Sequence, residues 1–116
     1  MLPRRFRLHQ RKDFQTLHRV KPYYRSKDFL IKIRDNNLNH PRFGIIVGTR
    51  VSKKAVDRNR IKRKLRACAR IFIESTEGRD VLIIVHKDIQ KIQFVALESI
   101  LQKIFGATML SKRIAS

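Results

Sequence analysis

Hydrophobic spacing changes period several times along this chain, and each change predicts a new element. From Lys12 to Val20 the apolar residues Phe14, Leu17 and Val20 recur every three positions, which lines them along one side of a short helix. Pro22 ends it. Asp28 to Arg34 alternates instead: Phe29, Ile31 and Ile33 point one way, and Leu30, Lys32 and Arg34 the other. That pattern predicts a half-buried strand with a partly basic outer face. Asp35, Asn36 and Asn37 are turn formers, and a loop through Pro41 leads into a second strand, about Arg42 to Val51, containing Phe43, Ile45, Ile46 and Val47. Gly44 and Gly48 interrupt it and suggest a bulge or a close approach by another backbone. Ala55 to Ile73 reads as the main helix, with Ile61, Leu65, Cys68 and Phe72 as a single apolar stripe and Asp57 near the positive end of its dipole. Beyond Gly78, Val81 to Val85 is an unbroken aliphatic run, the mark of a strand buried on both faces. A last helix is expected from about Lys91 to Phe105, with Phe94, Leu97, Leu101 and Ile104 or Phe105 inward and Gly106 as its cap. From Ser111 the end is expected to fray.

The order helix, strand, strand, helix, strand, helix predicts an α/β (α+β) two-layer sandwich, helices packed on a small mixed sheet. With 116 residues, 42% of them hydrophobic, residues 1–116 suffice for one domain around one core. No apolar run approaches the roughly 18 to 20 residues that span a bilayer, so no membrane partner is expected. The stretch from Met1 to Asp13 carries Arg4, Arg5, Arg7, Arg11 and Lys12 but lacks the apolar stretch and cleavage site of a secretory signal. A single cysteine, Cys68, excludes an intramolecular disulfide and a zinc site built on cysteine pairs; on the apolar stripe it is expected to be a small core residue. A cytoplasmic setting follows as the simplest expectation.

Charge then narrows the field. Lys and Arg number 28 against 9 Asp and Glu, a formal net charge of +19. Such self-repulsion is relieved by a polyanion, and phosphates add the gain from released counterions, so nucleic acid is the expected partner. The excess concentrates in the main helix, where Arg58, Arg60, Lys62, Arg63, Lys64, Arg66 and Arg70 must spread over the surface left by the apolar stripe. Arg58, Lys62, Arg66 and Arg70 stand four apart and form a ridge of like charges that repel at that spacing. A merely solvated helix would mix Glu among its cations, yet no acidic residue occurs between Arg58 and Ile73. Arginine forks match phosphate oxygens and stack on bases, and Asn59 between two of them could reach a base edge or a sugar. Chemistry by the chain itself is not expected. Its carboxylates, among them Asp13, Asp57 and Asp80, lack the spacing of a metal-dependent nuclease, and most of the carboxylates are expected to cap helices or face solvent. His9, His18, His40 and His86 are ungrouped.

Arg58-Asn59-Arg60, continuing as Ile61-Lys62-Arg63 and Leu65-Arg66, resembles the arginine-asparagine-arginine signature helix of the bacterial ribonuclease P protein component. Lys12-Asp13-Phe14 is similar to that family's first-helix motif and Lys27-Asp28-Phe29 to its first strand. Pro41-Arg42-Phe43-Gly44 resembles the start of its second strand, and Gly78-Arg79-Asp80 its last. Ser52-Lys53-Lys54 looks like the motif many members carry at the end of the second strand. Counting forward from Gly44, however, puts Gly48-Thr49-Arg50 at that position and Ser52 to Lys54 in the connector. The resemblance implies an unusual left-handed β-α-β crossover, where general rules favour the right-handed one. It further implies a monomeric subunit of a holoenzyme that removes the 5′ leader from precursor tRNA. Arg58, Asn59, Arg60, Lys62, Arg63, Arg66 and Arg70, with Arg50, Lys53 and Lys54, would face the catalytic RNA, and Mg²⁺ would be bound mainly by that RNA and by no protein side chain. The leader would lie in a cleft between the first helix and the sheet. Phe14 would line it, His18 would stand where the family has an aromatic residue, Lys32 would sit on the outward strand face and Arg66 at the edge, because unpaired bases stack on rings while their backbone follows positive charge. Core packing is the competing reading of Phe14. The alternative function, from another class, is a non-enzymatic ribosomal or RNA-chaperone protein; a helix-turn-helix DNA binder ranks third.

Overall fold

Strand β4 (Arg79–Val85) runs through the middle of the sheet, where its aliphatic run is covered on both faces. The computed structural model describes residues 3–70 and 78–105, without the side chains of residues 104 and 105. The strand order is β1-β2-β4-β3, with β1 at Tyr24–Arg25, β2 at Phe29–Asp35 and β3 at Arg42–Val47. β2 pairs antiparallel with β4, and β3 pairs parallel with it. The two-residue β1 is too short for any periodicity to announce. Past β3 the N-terminal segment extends the sheet: Arg7 bridges Phe43 in parallel, and the Leu8 N–H donates to the Phe43 carbonyl at 2.8 Å.

The alternation in β2 builds one face of the sheet in three cross-strand rows, Phe29–Val85–Val47, Ile31–Ile83–Ile45 and Ile33–Val81–Phe43. Helices α2 (Ala55–Ala69) and α3 (Phe94–Phe105) contribute to the same core, with Ile61, Leu65, Cys68 and Ala69 from the first and Leu97 and Leu101 from the second. Truncating one of these fully buried leucines to Ala would cost about 2 to 5 kcal/mol. Burial pushes the Cys68 thiol up to about 11, as suits a small core residue. Lys64 does not spread over the surface as the helix pattern predicts. Its ammonium donates to the carbonyls of Ile89, Gln90 and Ile92, tying α2 to the connector that precedes α3.

The opposite face carries helix α1 (Arg11–His18), which packs Leu17 and Phe14 with Leu8 and Leu82. Gly44 is where they meet. No bulge occurs there, since β3 pairs without a skip from Arg42 to Val47; a β-carbon on Gly44 would instead lie 2.9 Å from both Leu8 and Phe14. The close approach is by side chains rather than by another backbone. At Gly78 a β-carbon would collide with the Leu38 carbonyl, because the β2–β3 loop folds over the start of β4 and its Asn36 N–H donates to the Gly78 carbonyl.

Several boundaries differ from the predicted ones. The second strand stops at Val47, and the last helix begins at Phe94. Phe94 is 40% exposed rather than inward, because Ile89 of the preceding connector fills the core at that end. Phe72, Ile73, Gly106 and the end from Ser111 lie outside the described residues, as do Glu74 and Glu77.

Candidate nucleic-acid interface

Helix α2 starts from a connector organised by Ser52. The Ser52 hydroxyl donates to Asp57 at 3.1 Å and accepts from the Lys54 N–H, while its carbonyl accepts from the Arg58 guanidinium at 2.9 Å. Ser52 to Lys54 do lie in the connector between β3 and α2, with Arg50, Lys53 and Lys54 exposed. Along α2 the buried stripe leaves Asn59, Arg60, Arg63 and Arg70 exposed and Arg58, Lys62 and Arg66 half-buried on one flank. Among the described residues no carboxylate pairs with any of these cations; the arginines that find one are Arg34, Arg42 and Arg79. Among the described residues the helix therefore presents a continuous surface of positive charge that no carboxylate neutralises.

The second face of the sheet treats its charges differently. Row Arg34–Asp80–Arg42 crosses β2, β4 and β3, and Asp80 is fully buried. Arg42 donates to both Asp80 oxygens at 2.8 and 2.7 Å, Arg34 donates at 2.9 Å, and Asn36 adds a bond at 3.0 Å. Asp13 of α1 completes the group, 3.5 Å from Arg34 and 3.4 Å from Arg42. Burial alone would raise the Asp80 carboxyl, but hydrogen bonds from Arg42, Asn36 and Arg34 hold it below the ordinary carboxylate range. The hydrogen bond to Asp80 correspondingly raises the Arg42 guanidinium. Asp13 and Asp80 are thus neither caps nor surface groups, contrary to the expectation from spacing.

Next to that row lie Lys32–Leu82–Gly44 and then Leu30–Ile84–Ile46. α1 covers the first of these and leaves the second half-buried. Phe14 packs against the cluster of Leu8, Leu17 and Leu82, as its core reading has it, while retaining exposed surface. His18 is exposed, and its carbonyl accepts from the Lys32 ammonium at 2.6 Å. Lys32 is only 8% exposed, so it is no outward-facing cation; it fastens the C-terminal end of α1 to β2. Lys32 meets α1 through the His18 backbone, and beside this contact runs the half-buried row of Leu30, Ile84 and Ile46. Those three aliphatics were not singled out in the sequence, although their two-residue alternation with buried neighbours was available. Arg66 shares the neighbour Leu8 with Phe14. It lines a pocket at the β3 edge with Arg4, Arg7, Leu8 and His9. Burial, together with the nearby Arg7 charge, lowers its guanidinium from the usual range.

Comparison with known proteins agrees with this architecture. The Ribonuclease P family model matches residues 2–109. A ribonuclease P protein component from Synechocystis sp. is 42% identical over 86 residues, 72% of this chain and 69% of the relative. Another, from Pseudomonas putida (strain GB-1), is 40% identical over 67 residues, 58% of this chain and half the length of that relative. Among solved structures, the RNase P protein from Thermotoga maritima superposes with a TM-score of 0.73 at 27% identity, covering 84% of this chain and 95% of that one. The Staphylococcus aureus RNase P protein has the same fold, with a TM-score of 0.76 over 90% of this chain and 97% of that one at 21% identity. On the breadth of the family match and the identity of these relatives, the chain belongs to the ribonuclease P protein family.

Proposed function

We propose that the chain is the protein subunit of the ribonuclease P ribonucleoprotein. It binds the catalytic RNA and the 5′ leader of precursor tRNA and assists endonucleolytic removal of that leader. The observation that carries this reading is the α2 surface, where Arg60, Arg63 and Arg70 are exposed with no carboxylate partner among the described residues. Guanidinium groups held in that state lower their free energy by displacing condensed cations from a polyphosphate. The half-buried row beside α1 suits an unpaired strand, because Phe14 offers a ring and Leu30, Ile84 and Ile46 offer apolar contact to bases. Lys32 acts there as a positioning residue that holds α1 in place.

Hydrolysis belongs to the RNA in this reading. Mg²⁺ would be held by RNA phosphates, since the two buried carboxylates already have arginine partners and offer it no free pair of oxygens. Among the described residues no cluster of three or more His, Cys, Asp or Glu side chains could hold a metal ion. The protein's part is affinity for substrate and screening of phosphate repulsion.

The test is reconstitution of the full chain with a bacterial ribonuclease P RNA, Mg²⁺ and precursor tRNA at low ionic strength. Faster leader removal, and a gain in affinity for precursor over mature tRNA, is the expected result. No gain in cleavage despite tight RNA binding would point to a ribosomal or chaperone role instead.

A further inference from the structure

Among the cations of α2, Lys64 is held by the chain's own backbone. Its ammonium carries three donors and meets three acceptors, the carbonyls of Ile89 at 3.4 Å, Gln90 at 3.0 Å and Ile92. Carbonyl oxygens converging on one point repel each other, and a cation among them turns that repulsion into attraction. All three belong to residues 86–93, the connector from β4 to α3, which is neither helix nor strand. Ile89 anchors this connector with a side chain only 1% exposed in the core, and the Ile92 N–H donates to the Ile89 carbonyl at 3.0 Å. Lys64 therefore grips a post that is itself fixed to the core.

The position of Lys64 on the helix gives that grip a consequence. It stands one turn after exposed Arg60 and one turn before buried Cys68, on the border between the outward arginines and the apolar stripe. Nearer the helix start, Arg58 donates to the Ser52 carbonyl at 2.9 Å and the Ser52 hydroxyl to Asp57 at 3.1 Å. Among the described residues Lys64 supplies the next polar tie along α2, and Arg60 and Arg63 fall between the two. A helix tied at two points along its length resists both tilt and rotation about its axis.

We propose that Lys64 is a positioning residue for RNA binding, one that fixes the setting of Arg60 and Arg63 while making no contact with RNA itself. This rests on the RNA-binding function proposed above. Arginines already set in place need no ordering when phosphates arrive, so more of their interaction energy appears as affinity. The cations of one basic helix are thus divided between holding the helix and meeting the RNA.

Two measurements on the full chain test it, and the first needs no RNA. Amide hydrogen exchange should rise at Ile92 and Leu97, whose N–H groups are bonded within the connector and the first turn of α3, in Lys64→Met, which keeps the aliphatic stem and loses the ammonium. Arg63→Gln should leave it at the wild-type level. The second compares the salt dependence of binding to the catalytic RNA. Arg63→Gln should lose roughly 0.7 to 0.9 of the log-log slope, one phosphate contact. Lys64→Met should keep the wild-type slope and lose affinity roughly tenfold, the size of a lost hydrogen bond to a charged group. Lys64→Arg, whose planar fork suits the three carbonyls less well, should keep the slope and regain part of that affinity. A reduced slope in Lys64→Met would put the ammonium on a phosphate, and an unchanged affinity would disconnect the tie from RNA binding; either overturns the proposal. So does unchanged exchange at Ile92 and Leu97, or no recovery in Lys64→Arg. A wild-type protein that fails to bind the catalytic RNA would strike the function proposed above instead, a result that the RNA-free exchange measurement keeps separate.

Discussion

Two regions of this molecule use arginine in opposite ways. At one end of the second sheet face, Arg34 and Arg42 converge on Asp80 and Asp13 and are neutralised inside the fold. On α2, Arg60, Arg63 and Arg70 stand exposed with no such partner among the described residues. The same side chain is thus a structural tie in one place and, among the described residues, an exposed charge without a carboxylate in the other. What separates them is whether the topology brings a carboxylate to meet it. A count of cations along the sequence does not make that distinction.

Breaking the tie should have the largest effect. Asp80→Asn leaves Arg34 and Arg42 with only the more distant Asp13, and loss of one partner from a buried ion pair costs about 3 to 5 kcal/mol, to be read from urea unfolding. Acid should act on the same bond. The folded-state carboxyl of Asp80 lies below its unfolded value, so its contribution is complete above the unfolded carboxylate pKa of about 3.9 and is lost as pH falls through the folded value. Stability measured from pH 7 downward should therefore show an acid limb that is shallower in Asp80→Asn. A limb of equal steepness would assign acid sensitivity to other groups. Next in size is Lys32→Met, which keeps the aliphatic stem but removes the ammonium from the His18 carbonyl. It should cost about 1.5 to 3 kcal/mol and raise hydrogen exchange in the last turn of α1. Smallest for stability should be Arg60→Gln and Arg63→Gln, each within about 0.5 kcal/mol of wild type, because exposed side chains without partners contribute little to folding. A large loss there would mean that these residues belong to the fold.

The sequence made the layers legible because period two in β2, the aliphatic run of β4 and the stripe on α2 are strong local signals that tertiary packing then reinforced. Order and type of the long elements followed from them. Three things did not. Asp80 looked like a surface acid because its partners, Arg34 and Arg42, come from strands far away in sequence. Lys32 looked outward because alternation gives the face but not what covers it. The N-terminal segment, whose Arg4 and Arg7 carry no periodic signal, was not expected to share a pocket with Arg66, which was placed at the edge of the Phe14 cleft. Each miss concerns a meeting between distant segments, which spacing cannot report.

An RNA-facing α2 is tested most directly by the salt dependence of binding to the catalytic RNA by a triple variant, Arg60→Gln with Arg63→Gln and Arg70→Gln. Between 50 and 200 mM salt the log-log slope should fall by roughly 2 to 3 relative to wild type, three phosphate contacts at 0.7 to 0.9 each, while circular dichroism and unfolding midpoint stay unchanged. An unchanged slope in a folded triple variant would show that this surface of α2 does not meet RNA.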